Sequence, residues 1–293
     1  MDLLQRNHQL LLKGINCTFL RYLHARIEWE DRLIGIFGSR GVGKTTLLLQ
    51  HIKLKFEDSR EALYVNLDDF WFETHSLTDA VKEFLQAGGH YLFLDEIHFY
   101  SGWMEEVSTL LDANPALKIV FATTSLYSQT EVRNGLRHEA AFYVMHPMSF
   151  REFLSYESIL DKDPIPLEDI LANHHDLVKE INAEMNIVPI YRNYLEHGCY
   201  PFYWQDPDMY YFRLQELVRK EICRDLPSVV SISMSNLERA QKYFMMVAES
   251  APLRPKSIDV TRKINMLRQQ SDSLLRFFHD MRLIYYSADQ LGT

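Results

Sequence analysis

The stretch GSRGVGKTT, Gly38 to Thr46, brings together residue types that can enclose a phosphate chain. It fits the pattern G-x-x-x-x-G-K-[ST] at every fixed position. Gly38, Gly41 and Gly43 allow tight backbone turns, so the amides of Ser39, Arg40 and Val42 can point inward around phosphate oxygens. A helix starting near Gly43 would aim its positive end at the same anion. Lys44 has the reach for β- and γ-phosphates. Thr45, followed by Thr46, offers a hydroxyl to Mg²⁺. A chance match in a glycine-rich turn is the competing reading. The context speaks against it, because the apolar run RLIGIFG precedes the stretch and the helical run KTTLLLQHIKLKF follows.

A second constellation lies downstream. YLFLDE ends in Asp95 and Glu96, the first of them 51 residues after Lys44. A hard carboxylate at Asp95 suits Mg²⁺, and Glu96 can orient and polarise an attacking water. Alone, such a pair is more simply a polar exit from a buried strand. Beside a complete phosphate loop it points to hydrolysis, and away from a small-molecule kinase, which needs no water-activating Glu. Catalytic roles therefore fall on Glu96 and Lys44. Thr124, from FATTS, is a further candidate, offering a hydroxyl to the γ-phosphate or the water. Thr123, Thr124 and Ser125 serve equally well as partners for turn backbone. Asp68 and Asp69 read first as a solvated strand exit and second as site lining.

Stepping outward, strands and helices alternate. Apolar runs predict strands at Arg32–Gly38, Ala62–Asp69, Tyr91–Glu96, Leu117–Ser125 and Ala140–Met145. The spacing predicts a mostly helical start over 3–29 and helices in KTTLLLQHIKLKF, SLTDAVKEFLQAG (Ser76 as N-cap, Gly88 as stop) and WMEEVSTLLDA. Strands apolar on both faces imply a parallel sheet covered by helices on each side. Ligands of such sheets gather at the carboxyl edge. The expected fold class is thus α/β, a P-loop NTPase. DKDPIPLED reads as a linker, and helices dominate beyond it, broken at HGCYPFYWQDP.

Composition sets outer bounds. The 293 residues are 47% hydrophobic and 24% charged, with a net charge of -9, so no global footprint for nucleic acid exists. Cys17, Cys199 and Cys223 form no C-x-x-C, which suits a reduced, cytoplasmic chain. No run of about 20 apolar residues suggests a membrane span. There is no H-E-x-x-H, and the adjacent His174 and His175 read as solvated helix residues rather than metal ligands.

The C-terminal runs SNLERAQKYFMMVAES, KSIDVTRKINML and SDSLLRFFHDMRLIYY read as helix, helix, helix and strand. Leu237, Phe244, Val247, Ile258, Ile264, Leu274, Phe277, Phe278 and Met281 could fill one small core, a winged-helix-like layout. Arg254, Lys256, Arg262, Lys263 and Arg268 give a basic stretch interrupted by Asp259. DNA contact through it is one reading. A scaffold packing on the rest of the chain or on a protein partner is the favoured one, given Asp272 and Asp280 on the would-be reading helix.

These phrases together resemble a known family: RYLHARIEWEDRLIGIFGSRGVGKTTLLLQ, YVNLDD, YLFLDEIHFYSGW, KIVFATTS, MSFREFL and the GCYPF corner. The chain is similar to prokaryotic AAA+-type ATPases whose full-length members add a PD-(D/E)XK-nuclease-like domain. The resemblance implies a five-stranded core of the additional-strand type, a helical lid and a winged-helix domain. The expected boundaries are 1–150, 151–227 and 228–293. It implies Lys44 and Thr45 on phosphate and Mg²⁺, Asp95 on Mg²⁺, Glu96 as water-directing base, and structural roles for His98 and Trp103. The chain departs from the pattern where the family usually has glycine-serine-serine after the fourth strand. It also has His138-Glu139 where relatives place paired arginines, leaving Arg133 and Arg137 as substitutes for an arginine acting in trans. It stops at SADQLGT, about where the nuclease-like part would begin, so no nuclease activity is expected.

The resulting expectation is Mg-dependent binding and hydrolysis of ATP, driving a shift of the helical part. The alternative is a nucleotide-dependent switch with negligible turnover that acts through a protein or DNA partner. Homo-oligomerisation fits either. N-K-x-D, the guanine signature, is absent, and the preference for ATP comes from the resemblance.

Overall fold

The computed structural model describes residues 2–56, 60–124, 129–160, 162–229, 231–250 and 263–285. Its centre is a five-stranded parallel sheet: β1 (Leu33–Phe37), β2 (Ala62–Asn66), β3 (Tyr91–Asp95), β4 (Lys118–Thr123) and β5 (Ala141–Val144), in the order β2-β3-β4-β1-β5. The expected strands are all present, shortened at their polar ends. β4 lies between β1 and β3, which gives the additional-strand arrangement. Between and around the strands run α1 (Asp2–Gly14), α2 (Lys44–Lys55), α3 (Leu77–Gln86), α4 (Trp103–Ala113), α5 (Gln129–Gly135) and α6 (Phe150–Tyr156).

Alternating side chains of β1 show why the strands are apolar throughout. Leu33 and Phe37 enter one core with Phe121, Leu94, Trp103 and Val107. Ile34 and Ile36 enter the other with Leu48, Ile52, Val120 and Phe93. Each strand therefore has two faces to bury. The register sets Phe37 beside Thr123 and Leu94 beside Phe121. The loops leaving β1, β3 and β4 consequently open side by side at one edge.

Local signals fix the helix starts. Ser76 accepts a hydrogen bond from Asp79 N–H and Asp79 answers on Ser76 N–H, a reciprocal capping box that begins α3. Ser149 and Glu152 do the same for α6. The expected helix over 3–29 is shorter: α1 ends at Gly14, and Asn16 Oδ1 accepts from Thr18 N–H in a side-chain-closed turn that competes with helix.

β2 is an edge strand, and α1 covers it. Tyr64 N–H donates to His8 Nδ1 at 3.0 Å. An unpaired edge amide is thereby satisfied. The acceptor exists only in neutral imidazole, and burial lowers the His8 pKa from 6.5 to about 4. The stability it contributes is complete above pH 6.5 and is lost as pH falls toward about 4. Thermal stability should therefore fall between pH 6.5 and about 4, with His8 contributing up to about 1.4 kcal/mol per pH unit. His8→Leu should flatten that slope while lowering Tm at pH 8. Equal slopes in the two proteins would remove His8 from this account.

Beyond β5 the described chain is helical: α7 (Leu167–Glu184), α8 (Ile187–Asn193), α9 (Tyr210–Lys220), α10 (Leu226–Val229), α11 (Met234–Glu249) and α12 (Arg268–Asp280). A π-type turn, Glu221–Asp225, joins α9 to α10 without a break. Leu237, Tyr243, Ile264, Leu274, Phe278 and Met281 form a third core, which Ile222 of the π turn enters. Most of the expected core residues meet there, with Phe244, Val247 and Phe277 partly buried against it. Ile258, Asp259, Arg254, Lys256 and Arg262 lie outside the described residues. The strand expected from Arg282 does not form over 282–285. Arg282 adopts φ 62°, and Leu283 N–H turns back to Phe278 O at 2.9 Å.

Candidate functional site

The loop between β1 and α2 has the backbone that its glycines permit. Gly41 and Gly43 sit at φ 80° and 104°, in the left-handed region, and Gly43 is the N-cap of α2. Lys44 is buried, and its Nζ donates to Gly38 O at 2.7 Å and Ser39 O at 2.9 Å. The ammonium thus folds back across the loop it belongs to. Gly38 N–H donates to Thr123 O at 3.2 Å. Thr124, one residue past β4 and also buried, is therefore beside the loop. Ser125 lies outside the described residues.

The end of β3 meets the start of α2. Thr45 Oγ1 donates to Asp95 Oδ2 at 2.5 Å, and Tyr64 OH donates to the same oxygen at 2.8 Å. Glu96 N–H donates to Asp95 Oδ1 at 2.9 Å. Burial, and then the neighbouring Glu96 charge, raise the Asp95 pKa, while Thr45, Lys44 and Tyr64 act against that rise. A hydroxyl and a buried carboxylate in contact supply the hard oxygens that Mg²⁺ takes, so the pair fits such an ion. Glu96 itself stands at φ 50°, where a non-glycine residue is uncommon. Its carboxylate lies 3.4 Å from Arg40 Nη1 and 3.5 Å from His98 Nε2. His98, expected to be structural, is buried against the acid. Trp103 is buried and packs on Phe121, with ring centroids 5.1 Å apart.

Sequence reasoning missed the partners that come from far along the chain. Arg40 N–H, a loop amide, donates to Glu221 Oε1 at 2.7 Å. Arg40 Nη2 and Nε donate to the two Asp225 oxygens at 2.7 and 3.0 Å. Ser39 Oγ donates to Met281 O at 2.8 Å. A Cβ on Gly41 would stand 2.5 Å from Leu217 Cδ1 and 3.1 Å from Phe202 Cε1. Arg224 pairs with Asp68, while Asp69 Oδ1 accepts from Trp71 N–H at 3.0 Å and caps a 3₁₀ turn. Burial pushes Glu221 up to about 8. No local pattern announces these contacts, since Glu221 follows Arg40 by 181 positions.

Arg21 ties the loop to the chain on its other side. It donates to Glu152 through Nε at 2.7 Å, to Val42 O through Nη1 at 2.7 Å and to His146 O through Nη2 at 2.8 Å. Two of the phrases quoted above, RYLHAR and SFREF, are thus in contact. Of the arginines considered as substitutes for a missing pair, Arg137 donates to Asp112 at 2.8 Å and Arg133 lies over the Phe142 ring. The His174 and His175 rings lie tilted with centroids 4.0 Å apart on a helix without buried residues. Among the described residues, no group of three or more His, Cys, Asp or Glu is arranged to hold a metal, and no helix is long and apolar enough to cross a membrane.

Comparison with known proteins gives one family match and several structural likenesses. The family model described as an AAA domain matches residues 30–154, from just before β1 through most of α6. Residues 30–154 thus match that model and carry the five-stranded α/β sheet of a P-loop fold. No curated protein sequence matches the chain. Among solved structures, a Walker-type ATPase of Pyrococcus abyssi aligns at 15% identity and TM-score 0.42, covering 90% of this chain and 89% of its own. The S. cerevisiae Hsp104-ADP complex aligns at 17% and 0.41, covering 94% and 41%. AMPPCP-bound DnaA from Aquifex aeolicus aligns at 15% and 0.31, covering 96% and 89%.

Proposed function

We propose that the AAA-type domain binds Mg·ATP on Gly38–Thr46 and hydrolyses it. One observation carries the reading: the complete phosphate loop sits at the sheet's carboxyl edge, with Thr45 touching Asp95 and Glu96 one residue further on. Gly38, Ser39, Arg40, Gly41, Val42 and Gly43 present the amides, and Lys44 leaves its carbonyl partners for the β- and γ-phosphates. Thr45 and Asp95 would hold a magnesium ion, which would supply positive charge beside the phosphate oxygens. Glu96 accepts a hydrogen bond from the attacking water, and Thr124 faces the γ-phosphate side. A hollow of about 290 Å³ beside Val42 and Thr46, lined also by Ile15, Phe19, Tyr156 and Pro201, has the apolar walls a purine base requires. Catalysis here is positioning and electrostatics, with no covalent step.

A switch with slow turnover is the second reading. The contacts of Glu221, Asp225 and Met281 on the loop favour it, because nucleotide state would be felt directly by the helical part. A protein partner, or DNA at the C-terminal helices, would read that state.

Phosphate release by the purified chain tests the first reading. Lys44→Ala should lower it by about a hundredfold or more, the scale of losing one preorganised donor to developing charge. Equal release by both proteins would reject the assignment.

A further inference from the structure

The Arg40 amide belongs to a loop whose amides have one expected partner, a phosphate oxygen. It already has an anion-type partner of the chain's own making. The Glu221 carboxyl accepts its hydrogen at 2.7 Å, from a residue 1% exposed, and Glu221 Oε2 is buried with no hydrogen-bond partner among the described residues. Asp225, one π turn on, grips the Arg40 guanidinium with both oxygens. That guanidinium in turn lies 3.4 Å from Glu96. Leu217 and Phe202 close over Gly41, and Ser39 reaches Met281 O. A π turn within a longer helix is a local irregularity of the kind that functional sites favour. Here it places both acids toward the loop while Ile222 faces the third core.

We propose that the Glu221–Asp225 turn is a built-in carboxyl plug: Glu221 occupies a phosphate's place on the loop and Asp225 ties down Arg40, so nucleotide enters only when the turn withdraws. The proposal rests on reading Gly38–Thr46 as the phosphate loop. A carboxyl group and a triphosphate compete for one amide, and a second acid nearby repels the incoming charge. Closed turn and bound nucleotide therefore exclude each other, and by linkage each opens or closes the way for the other. Withdrawal frees the Arg40 amide from Glu221 and its guanidinium from Asp225. The helical part that carries Glu221 is the part expected to move with nucleotide state.

The affinity of the full-length chain for Mg·ATP reads this directly. Closure withholds the competent fraction, so Glu221→Ala should bind about tenfold or more tightly than the wild type. Asp225→Asn should shift affinity in the same direction, and serves if the alanine variant misfolds. Hydrogen exchange of the wild type supplies a separate readout, with Mg·ATP expected to accelerate exchange over 217–229. Equal affinities, abolished alike by Lys44→Ala, would overturn the plug and leave nucleotide binding standing. So would unchanged or slowed exchange over 217–229 at saturating nucleotide. Failure of the wild type and of Glu221→Ala to bind at millimolar Mg·ATP would overturn the phosphate-loop reading, and the plug with it.

Discussion

Glu96→Gln should stop phosphate release while ATP binding persists. The carboxamide keeps the size of the side chain and its place 3.4 Å from Arg40, but it cannot accept a proton or hold a water as a carboxylate does. Loss of such a positioned base costs about a hundred- to ten-thousandfold in rate. Binding should persist because the proposed polyphosphate site lies on the loop amides and Lys44 of the neighbouring β1–α2 connection. Glutamine inherits the left-handed backbone at this position, φ 50°. Single-turnover phosphate release together with an equilibrium ATP titration separates the two effects. Undiminished release would assign water activation elsewhere, and lost binding would show that Glu96 holds the nucleotide.

The largest stability effect should come from Arg21. Its guanidinium and the Glu152 carboxylate are both nearly buried, with side-chain exposures of 8% and 6%. Glu152 also caps α6 through Ser149, and Arg21 holds the carbonyl of Val42 inside the phosphate loop. Arg21→Ala would strand a buried carboxylate and release two carbonyls. Removing one partner of a buried pair costs about 3–5 kcal/mol, or about 10 °C in Tm at roughly 2–4 °C per kcal/mol. Replacing both residues, as in Arg21→Met with Glu152→Leu, should recover much of that loss, because no uncompensated charge remains. A double variant as unstable as the single one would mean that the backbone contacts, not the ion pair, carry the stability. Nucleotide affinity should also fall in Arg21→Ala, since Val42 loses its anchor.

What the sequence made legible follows from the range of each interaction. The strands were readable because β1, β3 and β4 are apolar on both faces over five or six residues. The phosphate loop was readable because its geometry is set within eight positions by glycines and a helix start. Ser76 announced α3 through a cap closed within three residues. Where reading failed, the cause was distant or competing. Asn16 ended α1 by a side-chain turn that periodicity does not register. The apolar Leu283 and Ile284 looked like a strand but had no strand to pair with among the described residues, and folded back on the end of α12. Tyr64, Glu221 and Asp225 gave no local sign of joining the site, since each reaches it through tertiary packing. Arg21 and Glu152 stood inside distinctive phrases, yet only the fold shows that the phrases touch.

The central claim is that main-chain amides of the Gly38–Thr46 loop enclose a polyphosphate. Amide chemical shifts of the full chain, followed while Mg·ATP is added, test it most directly. The account predicts that Gly41, Gly43, Lys44 and Thr45 shift most, saturably, and that Lys44→Ala abolishes the response. Shifts confined to other parts of the chain, or none at millimolar nucleotide, would contradict it.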